Sequence, residues 1–229
     1  MVYITGDTHR DFRRLVFFEY SYNTTKDDVL IILGDAGINY YGKEDIKIKK
    51  LLSDFSITLF CVHGNHEQRP ESIRSYKEKE FNGGTVYYEE EFPNLLFAKD
   101  GEIYDFDGEK VLVIGGAYSV DKEIRILNDL GWWEDEQPSL ETKEKVLKML
   151  DEGIEVDVVL SHTCPYKYLP YEVFLEGVDQ SKVDKSTEEF LDIVEEKLNY
   201  KKWYCGHYHT EKVVDKLEFM FESIKVFDV

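Results

Sequence analysis

The stretch of sequence that decides the fold is VLIILGD, residues 29–35. Five consecutive apolar residues followed by a glycine are typical of a strand that is buried on both faces, as in a parallel sheet. Similar apolar runs lie before it at residues 2–5 and after it at residues 57–62. Helical patterns at residues 12–20 and 45–55 separate the three runs, so this part of the chain predicts βαβ units and a largely parallel sheet.

The middle of the chain changes to short strands. Strand-like segments lie at residues 83–88, 95–98, 102–106 and 110–114, and Asp107-Gly108 is a favourable hairpin turn between the last two. We expect this meander to form a second sheet. Alternation then resumes, with predicted helices at 139–152 and 186–198, strands at 156–160 and 203–205, and closing antiparallel strands within 212–229. The pattern predicts a single α/β domain over residues 1–229, with the irregular segment 118–138 as a candidate cap.

Composition and charge restrict the class of protein. The 229 residues include 28 basic and 47 acidic side chains, a net charge of -19, which disfavours non-specific DNA binding. We find no signal-peptide pattern and no apolar run of membrane-spanning length, so we expect a cytoplasmic protein without a membrane partner. The three cysteines have no paired spacing, and we expect Cys61, Cys164 and Cys205 to be small buried apolar side chains.

Five short polar motifs follow the predicted strands, at residues 6–9, 34–35, 64–67, 161–162 and 206–209. A mixed set of imidazole nitrogens and carboxylate or amide oxygens suits Mn, Fe, Zn or Ni, and fits neither a calcium cage nor a thiolate zinc site. Each residue alone is more often structural, since Asp7 and Asp35 could cap the helices that follow them. As an ordered set they predict a metal centre in which Asp35 can bridge two cations. The predicted ligands are Asp7, His9, Asp35, Asn65, His162, His207 and His209.

These ordered blocks resemble those of the calcineurin-like metallophosphoesterase superfamily, whose pattern is GD-x-H, GD, GNH-[ED], H and GH-x-H. The resemblance spans residues 6–209 and implies a four-layer α-β-β-α sandwich of two mixed sheets flanked by helices. It also implies two divalent metal ions, and we expect Mn²⁺ to support most activity in vitro. By this resemblance one ion is held by Asp7, His9, Asp35 and His209, and the second by Asp35, Asn65, His162 and His207.

The same resemblance implies a mechanism in which an activated water attacks phosphorus and His66 protonates the leaving oxygen. The protein-phosphatase branch carries a DRG sequence after the second motif and an arginine before GNHE, and both are absent here. We therefore expect a phosphodiesterase or nucleotidase that acts on small phosphoesters, nucleotides or oligonucleotide ends. The alternatives are a phosphomonoesterase, a protein phosphatase, a non-catalytic scaffold of the same fold, and an enzyme whose role is to bind a nucleotide.

For several further residues the sequence allows two alternative roles. His63 could contact substrate or pack beside the site at the end of its strand, and the packing role is favoured. Glu67 could orient a neighbouring group or lie on the surface. In segment 118–138, Lys122 and Arg125 could contact phosphate while a tryptophan stacks on a base or sugar. The segment could equally fold over the sheet edge with its tryptophans buried.

Overall fold

The computed structural model describes residues 1–229 and contains thirteen strands, five α-helices and several single 3₁₀ turns. The strands are β1 (Val2–Thr5), β2 (Val29–Ile32), β3 (Thr58–Cys61), β4 (Lys77–Phe81), β5 (Gly84–Glu89), β6 (Phe92–Ala98), β7 (Ile103–Phe106), β8 (Glu109–Ile114), β9 (Val158–Ser161), β10 (Lys202–Cys205), β11 (Lys212–Val214), β12 (Leu217–Phe219) and β13 (Ile224–Val226). The helices are α1 (Arg13–Ser21), α2 (Ile46–Ser53), α3 (Lys122–Leu127), α4 (Leu140–Asp151) and α5 (Ser186–Lys197).

The strands form two mixed sheets. The seven-stranded sheet has the order β13-β1-β2-β3-β6-β5-β4, and its four central strands β1, β2, β3 and β6 pair in parallel. The six-stranded sheet has the order β11-β12-β10-β9-β8-β7, with β8, β9, β10 and β12 parallel. Parallel pairing brings the carboxyl ends of the neighbouring strands to one edge of each sheet, which is where the polar motifs begin.

Three buried apolar clusters divide the molecule into layers. One combines residues of both sheets, such as Ile31 and Val113, and therefore fills the space between them. A second packs α1 and α2 on the outer face of the seven-stranded sheet, and a third packs α4 and α5 on the outer face of the six-stranded sheet. This arrangement confirms the expected four-layer α-β-β-α sandwich.

The prediction that the short strands within residues 83–114 form a second sheet of their own is wrong. Strands β5 and β6 join the first sheet because Leu95 of β6 pairs in register with Leu59 of β3, whereas β7 and β8 belong to the second sheet. The chain crosses between the sheets after β6. The Asp107-Gly108 turn is confirmed, since both residues have the positive φ that a two-residue hairpin requires.

Helix boundaries follow local sequence closely in some places and not in others. The predicted helix 139–152 is confirmed as α4, and its N-cap Ser139 accepts a hydrogen bond from the backbone of Thr142 at 3.1 Å. In α1, which covers most of the helical pattern at residues 12–20, Leu15 and Phe18 are buried whereas Phe17 is 73% exposed. Positions two apart on a helix point in different directions.

Two further features of the fold concern the cysteines and the helices. Cys61, Cys164 and Cys205 are free thiols and fully buried, as expected of small apolar side chains. None of the helices is both long and apolar enough to cross a membrane.

Candidate metal centre

All five polar motifs meet between the two sheets. Asp7, Asp35 and Asn65 follow β1, β2 and β3 of the seven-stranded sheet, and His162 and His207 follow β9 and β10 of the six-stranded sheet. These five strands are neighbours within their sheets, so the predicted ligands are delivered to one place by the rigid part of the fold.

The first cluster contains Asp7, His9 and His209. The Nε2 atoms of His9 and His209 lie 2.8 Å apart, and they lie 3.6 Å and 3.4 Å from Oδ2 of Asp7. Donors bound to one ion at about 2.0–2.2 Å lie roughly 3 Å from one another, so these separations fit a shared cation. Oδ2 of Asp7 is buried and has no hydrogen-bond partner, while Oδ1 accepts from the backbone of His207 at 2.9 Å. A buried carboxylate oxygen that makes no hydrogen bond is stabilised by a neighbouring positive charge, which a bound metal ion would supply.

The second cluster surrounds Asp35 and His162. Oδ2 of Asp35 lies 3.7 Å from Nε2 of His9 and 3.6 Å from Nε2 of His162, so Asp35 stands between the two clusters as a bridging ligand would. Nε2 of His162 also lies 2.9 Å from Oδ1 of Asn65. Nδ1 of His162 lies 2.8 Å from the carbonyl of Leu33, which fixes the proton on Nδ1 in the neutral ring and leaves Nε2 free to bind a metal.

His207 completes the predicted second set. Its ring centre lies 5.0 Å from that of His162, and its side chain lines the same cavity as Asp35 and Asn65. Burial and the neighbouring charge of His162 lower the pKa of His207 to about 3. The ring is therefore neutral at physiological pH, and its lone pair is available to a cation.

The orientation of the Asn65 amide is set by a buried chain of hydrogen bonds. Nδ2 of Asn65 donates to Oγ of Ser119 at 2.9 Å, and that hydroxyl donates to Glu136 at 2.5 Å. Glu136 also accepts from the backbone of Ser119 at 3.1 Å. Because the amide nitrogen is occupied, the oxygen faces His162 and the predicted metal position.

The glycines of the motifs make room for ligands of other motifs. A Cβ on Gly64 would lie 2.0 Å from Oδ1 of Asp35, and a Cβ on Gly206 would lie 2.2 Å from Oδ1 of Asp7. No side chain fits at such distances. Each glycine therefore allows the strand end of one motif to approach the carboxylate of another.

Backbone strain is concentrated in the same residues. His9, Asp35, His207 and His209 all have φ between 44° and 67°, the left-handed region that residues with a Cβ rarely adopt. Arg10, next to His9, shares it at 67°. Such conformations cost on the order of 1–3 kcal/mol each and persist at functional sites where surrounding contacts enforce them. The strain points the side chains of these residues into the clusters.

The charges of the site balance one another. Burial acts to raise the pKa of Asp35, but the charge and hydrogen bond of His162, together with the charges of His66 and His9, hold that pKa well below 3.8. Burial also acts to raise the pKa of Asp7, but the charge of His162 and the hydrogen bonds of His209 and His9 together lower it. Burial acts to lower the pKa of His162, but the two carboxylates raise it to about 9. Two buried carboxylates thus stay ionised, and a bound cation would take over the compensating charge from the His162 proton.

Glu67 lies directly beneath the site. It is completely buried, and Oε1 accepts from the backbones of Gly64 at 3.2 Å and Ala36 at 3.4 Å. Burial raises its pKa to about 7. The reading of Glu67 as a surface carboxylate is therefore wrong, and its contacts hold the loops that carry Asp35 and Asn65.

His66 lies where two cavities meet. Its backbone donates to Oδ1 of Asp35 at 2.7 Å, and its ring lines both a cavity of about 360 Å³ and a cavity of about 210 Å³. The larger cavity also borders Asp35, Asn65, His207 and His209. Burial lowers the pKa of His66, the charge of Asp35 opposes this, and Arg125 adds to the lowering.

The predicted substrate residues occupy three different environments. His63 is 2% exposed and lines neither cavity, which favours its packing role. Nζ of Lys122 lies 4.3 Å from the ring centre of Trp132 and is also outside both cavities. Arg125 lines the smaller cavity beside His66, and it donates from Nε to Asp121 and from Nη1 to Tyr40. Of the three residues, the structure brings only Arg125 to the site.

Sequence reasoning missed several residues of this region. Arg10 lines the smaller cavity opposite Arg125 and pairs with Asp45, although only its position after His9 in the sequence could have pointed to it. Ser119 and Glu136 gave no signal at all, since their contact with Asn65 depends on the tertiary fold. In segment 118–138 the tryptophans are half-buried, and neither of them lines the larger or the smaller cavity beside His66.

Comparison with known proteins complements this geometry. The family model described as calcineurin-like phosphoesterase matches residues 1–211. Among solved structures, a phosphopantetheinyl hydrolase from Mycobacterium tuberculosis is 14% identical, with 96% of this chain and 87% of that chain covered and a TM-score of 0.48. A protein of unknown function from Aquifex aeolicus is 14% identical, with 71% and 80% covered and a TM-score of 0.34. No curated protein matches the chain.

Proposed function

Since the chain belongs to the calcineurin-like phosphoesterase family and is a metal-dependent phosphoester hydrolase, we propose that it acts as a phosphodiesterase or nucleotidase with His66 as general acid. The observation that carries the proposal is the convergence of Asp7, His9 and His209 on one point, with Asp35 linking it to His162. The family binds a dinuclear divalent metal centre, and these residues offer the donors that such a centre uses.

We assign one ion to Asp7, His9, Asp35 and His209, and the other to Asp35, Asn65, His162 and His207. When bound, two divalent ions supply Lewis acidity, which draws in phosphate oxygens and lowers the pKa of water. The protein contributes the arrangement of these donors. Because the donors are held by buried hydrogen bonds and strained backbone, little reorganisation is needed when substrate arrives.

His66 is suited to handle the proton of the leaving group. Its backbone donates to Asp35, so the main chain from which the ring projects is fixed relative to the predicted metal centre. Its Nδ1 atom is buried without a partner, whereas the ring borders both cavities. An imidazole in this position can donate a proton to the oxygen that leaves phosphorus.

The two cavities on either side of His66 favour a diester over a monoester. A phosphorus atom beside His66 has space for an organic group in the larger cavity and for a second group in the smaller one. Arg10 and Arg125 face the smaller cavity, and Nη2 of each makes no hydrogen bond to protein. We assign these two arginines to an anionic part of the substrate.

The experiment that tests this function compares bis(p-nitrophenyl) phosphate with p-nitrophenyl phosphate on protein loaded with Mn²⁺. We expect metal-dependent hydrolysis of both compounds, with the higher kcat/KM for the diester. A higher kcat/KM for the monoester would overturn the diesterase assignment and favour a phosphomonoesterase, the class to which a nucleotidase belongs. An absence of hydrolysis by fully loaded protein would overturn the catalytic function and leave a binding or scaffold role.

A further inference from the structure

We propose that the larger cavity binds the organic group of the substrate, and that this group is apolar along most of its length and carries one hydrogen-bond donor. The proposal rests on the phosphoesterase function and specifies the class of substrate. It concerns the wall formed by residues within 169–188, which none of the polar motifs includes.

The cavity is continuous with the predicted metal centre. Asp35, His66 and His207 form one end of it, and Val173, Phe174 and Val178 form part of the opposite wall. Half of its lining residues are hydrophobic, and its volume of about 360 Å³ lies within the range of small-molecule sites. A phosphoester held at the metal centre therefore has an apolar space directly beside it.

The ionisable side chains of the wall do not favour an anionic group in this space. Lys185 is the one lysine or arginine that lines this cavity, and its Nζ donates to the carbonyl of Gln180 at 2.8 Å, while Asp121 and Glu188 line the cavity as acids. An additional phosphate or carboxylate would therefore meet two acids and a single cation. The smaller cavity with Arg10 and Arg125 is the better place for negative charge.

Glu188 indicates that the bound group carries a hydrogen-bond donor. The residue is 5% exposed, and its Oε1 accepts from the hydroxyl of Thr163 at 2.7 Å. Its other oxygen, Oε2, is buried and has no partner in the protein. Because Glu188 also lines the cavity, a bound group that offers an O–H or N–H can satisfy this acceptor, and we assign that donor to a hydroxyl or amide of the substrate.

The test measures the binding of n-alkylphosphonates, from methyl to hexyl, to Mn²⁺-loaded protein by calorimetry. We expect the affinity to rise about fourfold per added methylene until the cavity is filled, with a negative heat-capacity change. Analogues of the same length that carry a hydroxyl or amide should gain about tenfold at the position that reaches Glu188. The Glu188→Gln variant, which has a neutral acceptor, should lower that gain.

Variants of the cavity wall provide the control for location. Val178→Asp places a charge in the apolar wall at a half-buried position, and we expect the ratio of the methyl and hexyl Kd values to fall towards one. Val173→Asp, at a residue 37% exposed, provides a second variant should the first not fold. Leu140→Asp introduces the same charge at a residue that is 72% exposed and outside the cavity, and should keep the wild-type ratio.

Two outcomes contradict different parts of the reasoning. Hydrolysis of bis(p-nitrophenyl) phosphate together with methyl and hexyl affinities that differ by less than twofold would overturn the inference alone. Loss of both hydrolysis and phosphonate binding in metal-loaded protein would overturn the proposed function, and the inference with it.

Discussion

Adding one methyl group at Gly64 should destroy the metal centre without straining the backbone at that residue. The Cβ of an alanine would lie 2.0 Å from Oδ1 and 2.1 Å from the backbone nitrogen of Asp35, whereas real Cβ contacts are not shorter than 3.0 Å. Asp35 must therefore move by at least about 1 Å. A displacement of that size at a catalytic group costs on the order of 10²-fold in rate. The overlap itself should cost about 1–3 kcal/mol of stability.

The assay combines Mn²⁺ binding by calorimetry with kcat/KM for bis(p-nitrophenyl) phosphate. For Gly64→Ala we expect weakened binding of metal and a loss in kcat/KM of at least about 100-fold. The matched control is Gly153→Ala, because Gly153 has no atom within 4 Å of a built Cβ but has a φ of 77°. It should lose about 1–2 kcal/mol of stability and keep its metal and rate. A Gly64→Ala protein within threefold of wild type in both measurements would refute the reasoning.

Four further outcomes are expected. Asp35→Asn should abolish hydrolysis and lower the metal content measured by mass spectrometry, because Asp35 belongs to both clusters; retained activity would contradict the bridging role. His66→Ala should retain metal and slow turnover most for poor leaving groups, whereas equal slowing across a leaving-group series would count against the acid role. Ser119→Ala should weaken metal binding about 10- to 100-fold by releasing the Asn65 amide, while the capping variant Ser139→Ala should lose only about 1 kcal/mol of stability in a urea titration. Mn²⁺ at 100 times its Kd should raise Tm by roughly 5–10 °C, following about 2.7 kcal/mol of binding energy, and an unchanged Tm would argue against a structured site.

The buried strands and the longer helices were predictable because their signals are local, whereas the four-layer arrangement was implied by the family resemblance. The apolar runs at β1, β2 and β3 are typical of buried strands, and a glycine followed by a predicted ligand comes directly after the first two and one residue after the third. Ser139 and Gly153 marked the ends of α4 for the same reason, since capping depends on adjacent residues. The sequence could not tell which sheet β6 would join, because that choice depends on pairing with β3 across the chain.

The candidate site likewise contains residues that the sequence predicted and residues that it did not. The predicted ligands belong to short motifs, and the structure brings Asp7, His9, Asp35, His162 and His209 within reach of shared cations. Ser119, Glu136 and Arg10 were not predicted, because each contributes through a contact made only in the folded protein. The two cavities around His66 could not be predicted from the sequence either, because the residues that line them are distant from one another along the chain.

The most direct test of the two-metal account is a titration of metal-free protein with Mn²⁺, followed by the rate of phosphodiester hydrolysis. We predict no hydrolysis before metal is added and a rise that reaches its plateau at two ions per chain. An undiminished rate in chelator-treated protein, or the absence of hydrolysis after two ions have bound, would contradict the account.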